Sequence, residues 1–166
     1  MKKLILALPF TLLAGQALAV EPLDKQVTVT ALIPTEEFYV EPASGNWMNE
    51  PIAMTWRPAS GSTPGKLVDV RNQLVVKSTT GAISAYLLAP AEMVSGSNSI
   101  GLDILVGDKV LTVTKDEVVN AANAASGATV DFVVKAKAPT APGNKYAPGN
   151  YMAVVNMMFE TVTPAP

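Results

Sequence analysis

The stretch Gln26-Val27-Thr28-Val29-Thr30-Ala31-Leu32-Ile33 reads as an isolated β-strand near the start of the chain. Side chains alternate between the two faces of a strand. One face here is apolar, and it carries Val27, Val29, Ala31 and Ile33. The other face is mostly Thr and Gln. This segment is either the first strand of the domain's own sheet or a strand supplied to a neighbouring molecule. That choice decides whether the chain is a self-contained monomer or the repeating unit of a fibre.

A secretory signal precedes this strand. Lys2 and Lys3 form a basic region, residues 4–13 form an apolar core, and Ala17-x-Ala19 is a small-residue cleavage site. The apolar run is shorter than the ~20 residues that span a membrane. We therefore expect a signal peptide over residues 1–19, cleavage between Ala19 and Val20, and export of a mature chain that begins at Val20.

Composition excludes several classes of function. The formal net charge is −2, so the chain lacks the strong basic patch that nucleic-acid binding requires, and we expect no nucleic-acid partner. Cysteine is absent, so packing and backbone pairing alone must hold the fold. Histidine is also absent, which removes the commonest general base and the usual zinc ligand.

No arrangement of carboxylates indicates catalysis. Asp116 and Glu117 are adjacent, but we interpret them as the solvated start of a short helix rather than as an acid/base pair. No dense loop of Asp, Asn and Gly resembles a calcium site. The sequence therefore predicts no catalytic residue, no metal site and no cofactor, and a protein that is not an enzyme.

The rest of the chain has the pattern of short strands separated by Gly- and Pro-rich turns. Its clearest hairpin turns at Gly107-Asp108. A segment rich in Ala and Asn at 115–125 predicts a short helix. The strands are expected at 51–56, 66–77, 82–88, 100–114 (the hairpin), 129–137 and 151–162. This pattern predicts an all-β fold, a sandwich of two sheets.

Donation of the leading strand would be energetically substantial. Each large apolar side chain that it buries contributes ~1.5–3 kcal/mol. Leu23, Val27, Val29, Ala31 and Ile33 together give a gross gain on the order of 10 kcal/mol. A small domain has a total stability of ~5–15 kcal/mol. A domain that lacked such a strand would therefore be marginal alone and robust once joined.

Several motifs resemble one known family. The start of the mature chain at Val20-Glu21 with Val27-Thr28-Val29-Thr30-Ala31 resembles that of the class 5 fimbrial major subunits, the colonisation-factor pilins of the CFA/I type and the related cable pilins. The similarity continues in order through four further motifs, Trp56-Arg57-Pro58-Ala59-Ser60, Gly107-x-x-Val110-Leu111, residues 133–139, and Ala147-x-Gly149-Asn150-Tyr151-x-x-Val154-Val155.

The resemblance implies an incomplete immunoglobulin-like β-sandwich, residues 35–166, completed by an N-terminal donor strand, residues 20–34, of a neighbouring subunit. The donated side chains would be Leu23, Val27, Val29, Ala31 and Ile33. The acceptor groove would be edged by the last strand, through Tyr151, Ala153, Val155, Met157 and Phe159. Pro22-Leu23-Asp24 lengthens the stretch before the strand, which leaves the donor register open by about one pocket.

The resemblance also implies partners and a location. The chain would polymerise with itself, assisted by a periplasmic chaperone and an outer-membrane usher, and would share the fibre with a tip adhesin. It would be exported through the periplasm to a fimbrium on the cell surface. Two alternatives stay open on the residues alone. One is a minor or tip adhesin subunit that binds host glycans through Trp47 or Trp56, and the other is a secreted monomer whose first strand stays in its own sheet.

Overall fold

The computed structural model describes residues 37–139 and 145–162, and about half of these residues form β-strands. All of them belong to the second of two compact units into which the chain divides, residues 33–166. In chain order the elements are β1 Phe38–Pro42, a 3₁₀ turn Trp47–Asn49, β2 Trp56–Arg57, β3 Lys66–Leu67, β4 Val70–Ser78, β5 Ala82–Leu87, β6 Glu92–Ser95, β7 Asn98–Val106, β8 Lys109–Val110, β9 Asp116–Val119, α1 Ala121–Ser126, β10 Ala128–Ala136 and β11 Met157–Val162.

Two antiparallel sheets form the body of the domain. The larger sheet has the order β1-β4-β10-β7-β6, with β8 paired to β7, and the smaller sheet has the order β11-β5-β9. A separate two-stranded ribbon joins β2 and β3. In the described part of the chain, no helix is both long and apolar enough to cross a membrane.

One apolar core lies between the two sheets. The strands of the larger sheet alternate buried and exposed residues, so that Leu74 and Val76 of β4 and Ile104 and Val106 of β7 point inward. They meet the inward side chains of the smaller sheet, which include Ile83 of β5. Since both sheets contribute to a single cluster, the fold is a sandwich, as the sequence predicts.

A short helix closes the core at one side. The side chain of Asn120 caps α1 by accepting a hydrogen bond from the Asn123 amide at 2.9 Å. Gly127 ends the helix at a φ of +79°, a conformation that favours glycine. The helix buries Ala124 completely and contacts β4 and β5. This position places α1 over the β4 side of the larger sheet.

Several predicted elements differ from the observed ones. The strand expected at 51–56 is wrong, because only Trp56 and Arg57 pair there. The segment 66–77 is two strands, since pairing is interrupted at Val68 and Asp69. The hairpin turn at Gly107-Asp108 is confirmed, with Gly107 at a φ of +62°. Its second arm is only two residues long, because the chain then leaves the larger sheet and the carbonyl of Thr112 accepts from the Leu87 amide at 2.7 Å.

Two further expectations are partly wrong. The helix expected at 115–125 begins only at Ala121, because residues 116–119 pair with β5 as strand β9. The strand expected at 151–162 is regular only from Met157 onward. The strands β1 and β6 were not predicted.

Candidate functional site

A large apolar cleft opens where the smaller sheet stops short of the larger one. Its volume is about 960 Å³. Its floor is the inner face of three strands of the larger sheet, through Met93 of β6, Leu102 and Ile104 of β7, and Phe132 and Val134 of β10. One wall is formed by residues 47–56 and the other by residues 149–159. We call this site the assembly cleft.

The assembly cleft lies along the edge of β11 that is opposite β5. Two inward side chains of β11, Met157 and Phe159, line the cleft and pack against the core. The inward side chains of β5 are fully buried and do not line it. Since β5 lies on one side of β11, the cleft must extend from the other side. The smaller sheet therefore ends at β11 and leaves part of the larger sheet without a covering strand.

The second edge of β11 carries main-chain groups that point toward this cleft. The carbonyl of Asn156 accepts from the Leu88 amide at 3.0 Å, in the same register that pairs Met157 to Val162 with β5. In an antiparallel pair, alternate residues direct both main-chain groups to the same neighbour. Three residues therefore direct their amide and carbonyl groups away from β5, Met157, Phe159 and Thr161. Among residues 37–139 and 145–162, no strand pairs with this edge.

The wall at 149–156 crosses from one sheet to the other. Met152 and Val94 of β6 exchange two main-chain hydrogen bonds, at 2.9 and 3.1 Å. Four residues later Asn156 is bonded to Leu88, next to β5 of the smaller sheet. The crossing leaves its apolar side chains in solvent, with Met152 exposed to 72% and Val154 to 86%. Such exposure is unusual for large apolar side chains that lie next to one another, and it indicates an interaction surface.

A tight bend leads into this wall. The Tyr151 hydroxyl donates to the Ala147 carbonyl at 2.8 Å and so closes the bend. Gly149 lies inside it, where an added Cβ would come within 2.5 Å of the Ser95 hydroxyl oxygen. A larger residue would push the bend away from β6. The motif Ala147-x-Gly149-Asn150-Tyr151 thus has a structural reason, because it sets the start of the cleft wall.

Aromatic contacts fix the opposite wall. Trp47 stacks on Phe132 of the floor, with the ring centroids 4.8 Å apart. Trp56 is half exposed, and its ring is nearly perpendicular to that of Tyr146, with the ring centroids 6.0 Å apart. The Tyr146 hydroxyl donates to the Lys137 carbonyl at 2.8 Å, and burial raises the pKa of Tyr146 above its ordinary value of 10.0.

The chemistry of the assembly cleft favours an apolar, extended occupant. Glu50 is the only charged side chain among the described residues that line it. Within the described ranges no three metal-ligating side chains come together. What the cleft offers is apolar surface beside a row of main-chain donors and acceptors. A β-strand with one apolar face uses both, because it adds main-chain bonds to an edge and buries alternate side chains.

The last-strand residues named from the sequence all line the assembly cleft: Tyr151, Ala153, Val155, Met157 and Phe159. Met152 and Val154 line it too, because residues 151–156 are not a regular strand and their side chains do not alternate strictly. The donor residues Leu23, Val27, Val29, Ala31 and Ile33, and the cleavage-site residues Ala17, Ala19 and Val20, lie outside the described residues. Sequence reasoning missed the floor and most of the 47–56 wall.

Comparison with known proteins gives the family. A model of the CS1 type fimbrial major subunit family matches residues 23–160 of this chain. The chain belongs to this family. A solved structure, that of the CooA pilin subunit from enterotoxigenic Escherichia coli, has the same fold at 16% sequence identity, with a TM-score of 0.61. The match covers 78% of this chain and 90% of that one. A search of curated proteins found no match.

This fimbrial subunit therefore has the all-β, open pilin fold that the sequence predicts, and the family resemblance is confirmed. Its family is one of structural subunits that polymerise into surface fimbriae, not a family of enzymes. The family is that of major subunits, and it does not favour the alternative of a glycan-binding minor or tip adhesin.

Proposed function

We propose that this fimbrial subunit forms the shaft of an adhesive fimbrium and assembles by donor-strand exchange. Residues 20–34 of one copy would occupy the assembly cleft of the next. The observation that carries the proposal is the apolar cleft that extends from the unpaired edge of β11. The fold thus provides a place for one more strand, and the sequence predicts, at 26–33, a strand with one apolar face.

The donor and the edge have matching lengths. Residues 27–33 span roughly 20 Å as an extended strand. The six residues of β11 span nearly as much, and the wall at 149–156 continues the same side of the cleft. Met157, Phe159 and Thr161 supply main-chain partners for the donor. Its alternate side chains Val27, Val29, Ala31 and Ile33, with Leu23 before them, would enter the cleft.

The position of β1 favours exchange between copies over self-insertion. β1 is the outer strand of the larger sheet on the side opposite β6. It lies two strand spacings, about 10 Å, from β10, the nearest strand of the cleft floor, and three spacings from β7. Phe38, the first residue of β1, therefore lies at the edge of the larger sheet away from β6, whereas the cleft floor extends to β6. Head-to-tail insertion into a second copy produces an open fibre, because each copy has one donor and one acceptor.

A cleft that exposes apolar side chains implies that another protein covers it while the subunit is exported. Apolar side chains such as Met152 and Val154 would promote aggregation before a donor strand arrives. We infer that a periplasmic chaperone covers the cleft first and that an outer-membrane usher exchanges it for the next subunit. The signal peptide 1–19 would bring the chain to that compartment. A tip adhesin with a donor-accepting domain of the same kind would complete the fibre.

The experiment replaces one buried and one exposed donor residue. Val29→Asp would place an unpaired charge in the assembly cleft, which costs several kcal/mol. Thr28→Asp adds the same charge on the opposite face of the strand and is the matched control. We expect Val29→Asp to abolish heat-dissociable polymers on gel electrophoresis of unheated samples, while Thr28→Asp polymerises. Equal polymer yield from the two variants would refute insertion of the Val29 face.

A further inference from the structure

Most of the methionine side chains of this chain line the assembly cleft. The chain has seven methionines and no cysteine. Five of these methionines line the assembly cleft: Met48, Met54, Met93, Met152 and Met157. Two of them stand at its rim, Met48 exposed to 41% and Met152 to 72%, while the other three are half-buried.

Met158 provides an internal comparison. It is exposed to 42%, almost the same as Met48, but it does not line the assembly cleft. It lies on the outer face of the smaller sheet, opposite Tyr86 of β5. A strand that fills the cleft would cover Met48 and Met152 and leave Met158 in solvent.

We propose that the cleft methionines are an oxidation site that controls assembly. Oxidation before assembly would block uptake of the donor strand, and an inserted strand would protect these side chains afterwards. This inference rests on the proposed function, because it assumes that a strand enters the cleft. The reagent is a two-electron oxidant of the hypochlorous acid or hydrogen peroxide class, which would act in the periplasm on subunits whose cleft neither a chaperone nor a donor strand yet covers.

The chemistry is the two-electron oxidation of a thioether to a sulfoxide. With hypochlorous acid, the sulfur lone pair attacks the chlorine, the O–Cl bond breaks, and hydroxide departs, leaving a chlorosulfonium ion. Water then adds to the sulfur and chloride leaves; of the two protons that the added water loses, the hydroxide takes up one. The net change is thioether plus hypochlorous acid to sulfoxide plus hydrogen chloride. The sulfur is oxidised by two electrons and the chlorine is reduced by two. Because the chain has no thiol, no faster-reacting sulfur in the same chain competes for the oxidant.

A sulfoxide changes the property on which the cleft depends. The thioether is flexible and apolar, so several methionines adapt to the side chains of an incoming strand. The sulfoxide is polar, and its oxygen needs a hydrogen-bond donor once it is buried. The proposed donor side chains, such as Val29 and Ile33, offer none. A strand therefore loses affinity when Met48 or Met152 at the rim carries a sulfoxide.

The first experiment compares assembled and dissociated protein. Fibres, and subunits obtained from them by heating, are treated with the same small excess of hypochlorous acid, and sulfoxides are mapped by peptide mass spectrometry. In fibres we expect the oxidation rates of Met48 and Met152 to fall at least tenfold, with the rate at Met158 changed less than twofold. Equal protection of all three, or of none, would overturn the inference.

The second experiment measures strand uptake with a biotinylated peptide of residues 20–34. Binding by unoxidised subunits tests the proposed function, and its absence would refute both proposals. If the unoxidised subunits bind, oxidation should weaken binding at least tenfold, with far-UV circular dichroism unchanged. Equal binding before and after oxidation would overturn the oxidation site alone.

Leucine variants identify the responsible side chains. The ratio of binding before and after oxidation is measured within each variant, so that its own unoxidised binding is the reference. Met48→Leu/Met152→Leu should bring this ratio close to one, because leucine fills a similar volume and does not oxidise. The control Met158→Leu should keep the full loss on oxidation. A full loss in both variants would contradict the assignment to the cleft rim.

Discussion

At Gly149 the position of the cleft wall depends on the absence of a side chain. An added Cβ would meet the Ser95 hydroxyl oxygen at 2.5 Å, its Cβ at 3.1 Å and the Tyr151 ring at 3.3 Å. The Tyr151 hydroxyl, bonded to Ala147, holds the same bend from the other side. Ser95 belongs to β6, so this contact joins the wall to the larger sheet.

Gly149→Ala is expected to destabilise the subunit by about 1–2 kcal/mol, as other crowding substitutions do. Ser95→Ala removes the atom that lies closest to the new methyl group. The double variant should therefore recover part of the loss, with a coupling energy of about 0.5 kcal/mol or more. Urea unfolding followed by tryptophan fluorescence measures all three variants. Strictly additive effects would show that the two residues are not in contact.

At the scale of an element, β11 has two chemically different edges. Its Met158, Glu160 and Val162 main-chain groups bond β5, and those of Met157, Phe159 and Thr161 point away from β5, on the edge where Met157 and Phe159 line the assembly cleft. A substitution on the unpaired edge of β11 can therefore disturb pairing with the proposed donor strand and leave the pairing between β11 and β5 intact. Proline is tolerated in an edge strand where its nitrogen faces the unpaired side.

Thr161→Pro should reduce polymer formation and leave the subunit folded. The substitution removes one amide donor from the cleft edge, and a main-chain hydrogen bond of this kind contributes about 0.5–1.5 kcal/mol. The proline ring also crowds an incoming strand. Polymer yield on unheated gels and far-UV circular dichroism of the subunit are the two measurements.

The matched control is Thr161→Val, which keeps the amide and nearly the same side-chain shape. It should polymerise like the natural chain. If Thr161→Pro polymerises as well as Thr161→Val, the cleft edge of β11 does not pair with a donor strand.

The local sequence pattern predicted two kinds of element correctly. These are turns that join strands close in sequence, and strands in which apolar and polar residues alternate strictly. The turn at Gly107-Asp108 and the strand β10 are examples. Residues 116–119 looked helical because two acids precede an Ala-rich run, but pairing with β5 overrode that local preference. Residues 151–156 alternate like a strand, yet they cross between the sheets, and a crossing depends on contacts with Val94 and Leu88 that are distant in sequence.

The candidate site was also predictable only in part, because some of its residues belong to one continuous segment and others meet only through contacts distant in sequence. Its 149–159 wall is continuous with the last strand, which the family resemblance names as the edge of the groove, and Tyr151, Val155 and Phe159 of that strand line the cleft. The opposite wall is a loop with no periodicity, and its contact with the floor, Trp47 on Phe132, joins residues 85 positions apart. No local pattern indicates such a contact.

At the scale of the whole molecule, the fold is a sandwich with a place for one more strand. The larger sheet has five strands along its path and the smaller sheet has three, so part of the inner face of β7 and β6 is left to the assembly cleft. In the proposed assembly, a copy of the chain therefore has two unlike ends, a donor segment and an acceptor cleft. Growth by such ends is linear and directional.

Deletion of residues 20–33 should give a subunit that accepts a strand but cannot give one. Co-expressed with the natural chain, it should terminate fibres, so that fibre length in electron micrographs falls steeply as its share rises. Co-expression of Thr28→Asp at the same level controls for the added load on export. Fibres of normal length that incorporate the deleted chain would show that the leading segment is not the donor.

The most direct test of the central claim is a cross-link between the leading segment and the assembly cleft. The chain has no cysteine, so Val29→Cys and Phe159→Cys introduce the only thiols, and each single variant is a control. Fibres of the double variant are treated with a short bis-maleimide, then boiled and separated by size. Insertion between copies predicts a ladder of covalent multimers from the double variant and none from either single variant. A cross-linked product confined to monomer size would place the segment in its own cleft and contradict the account.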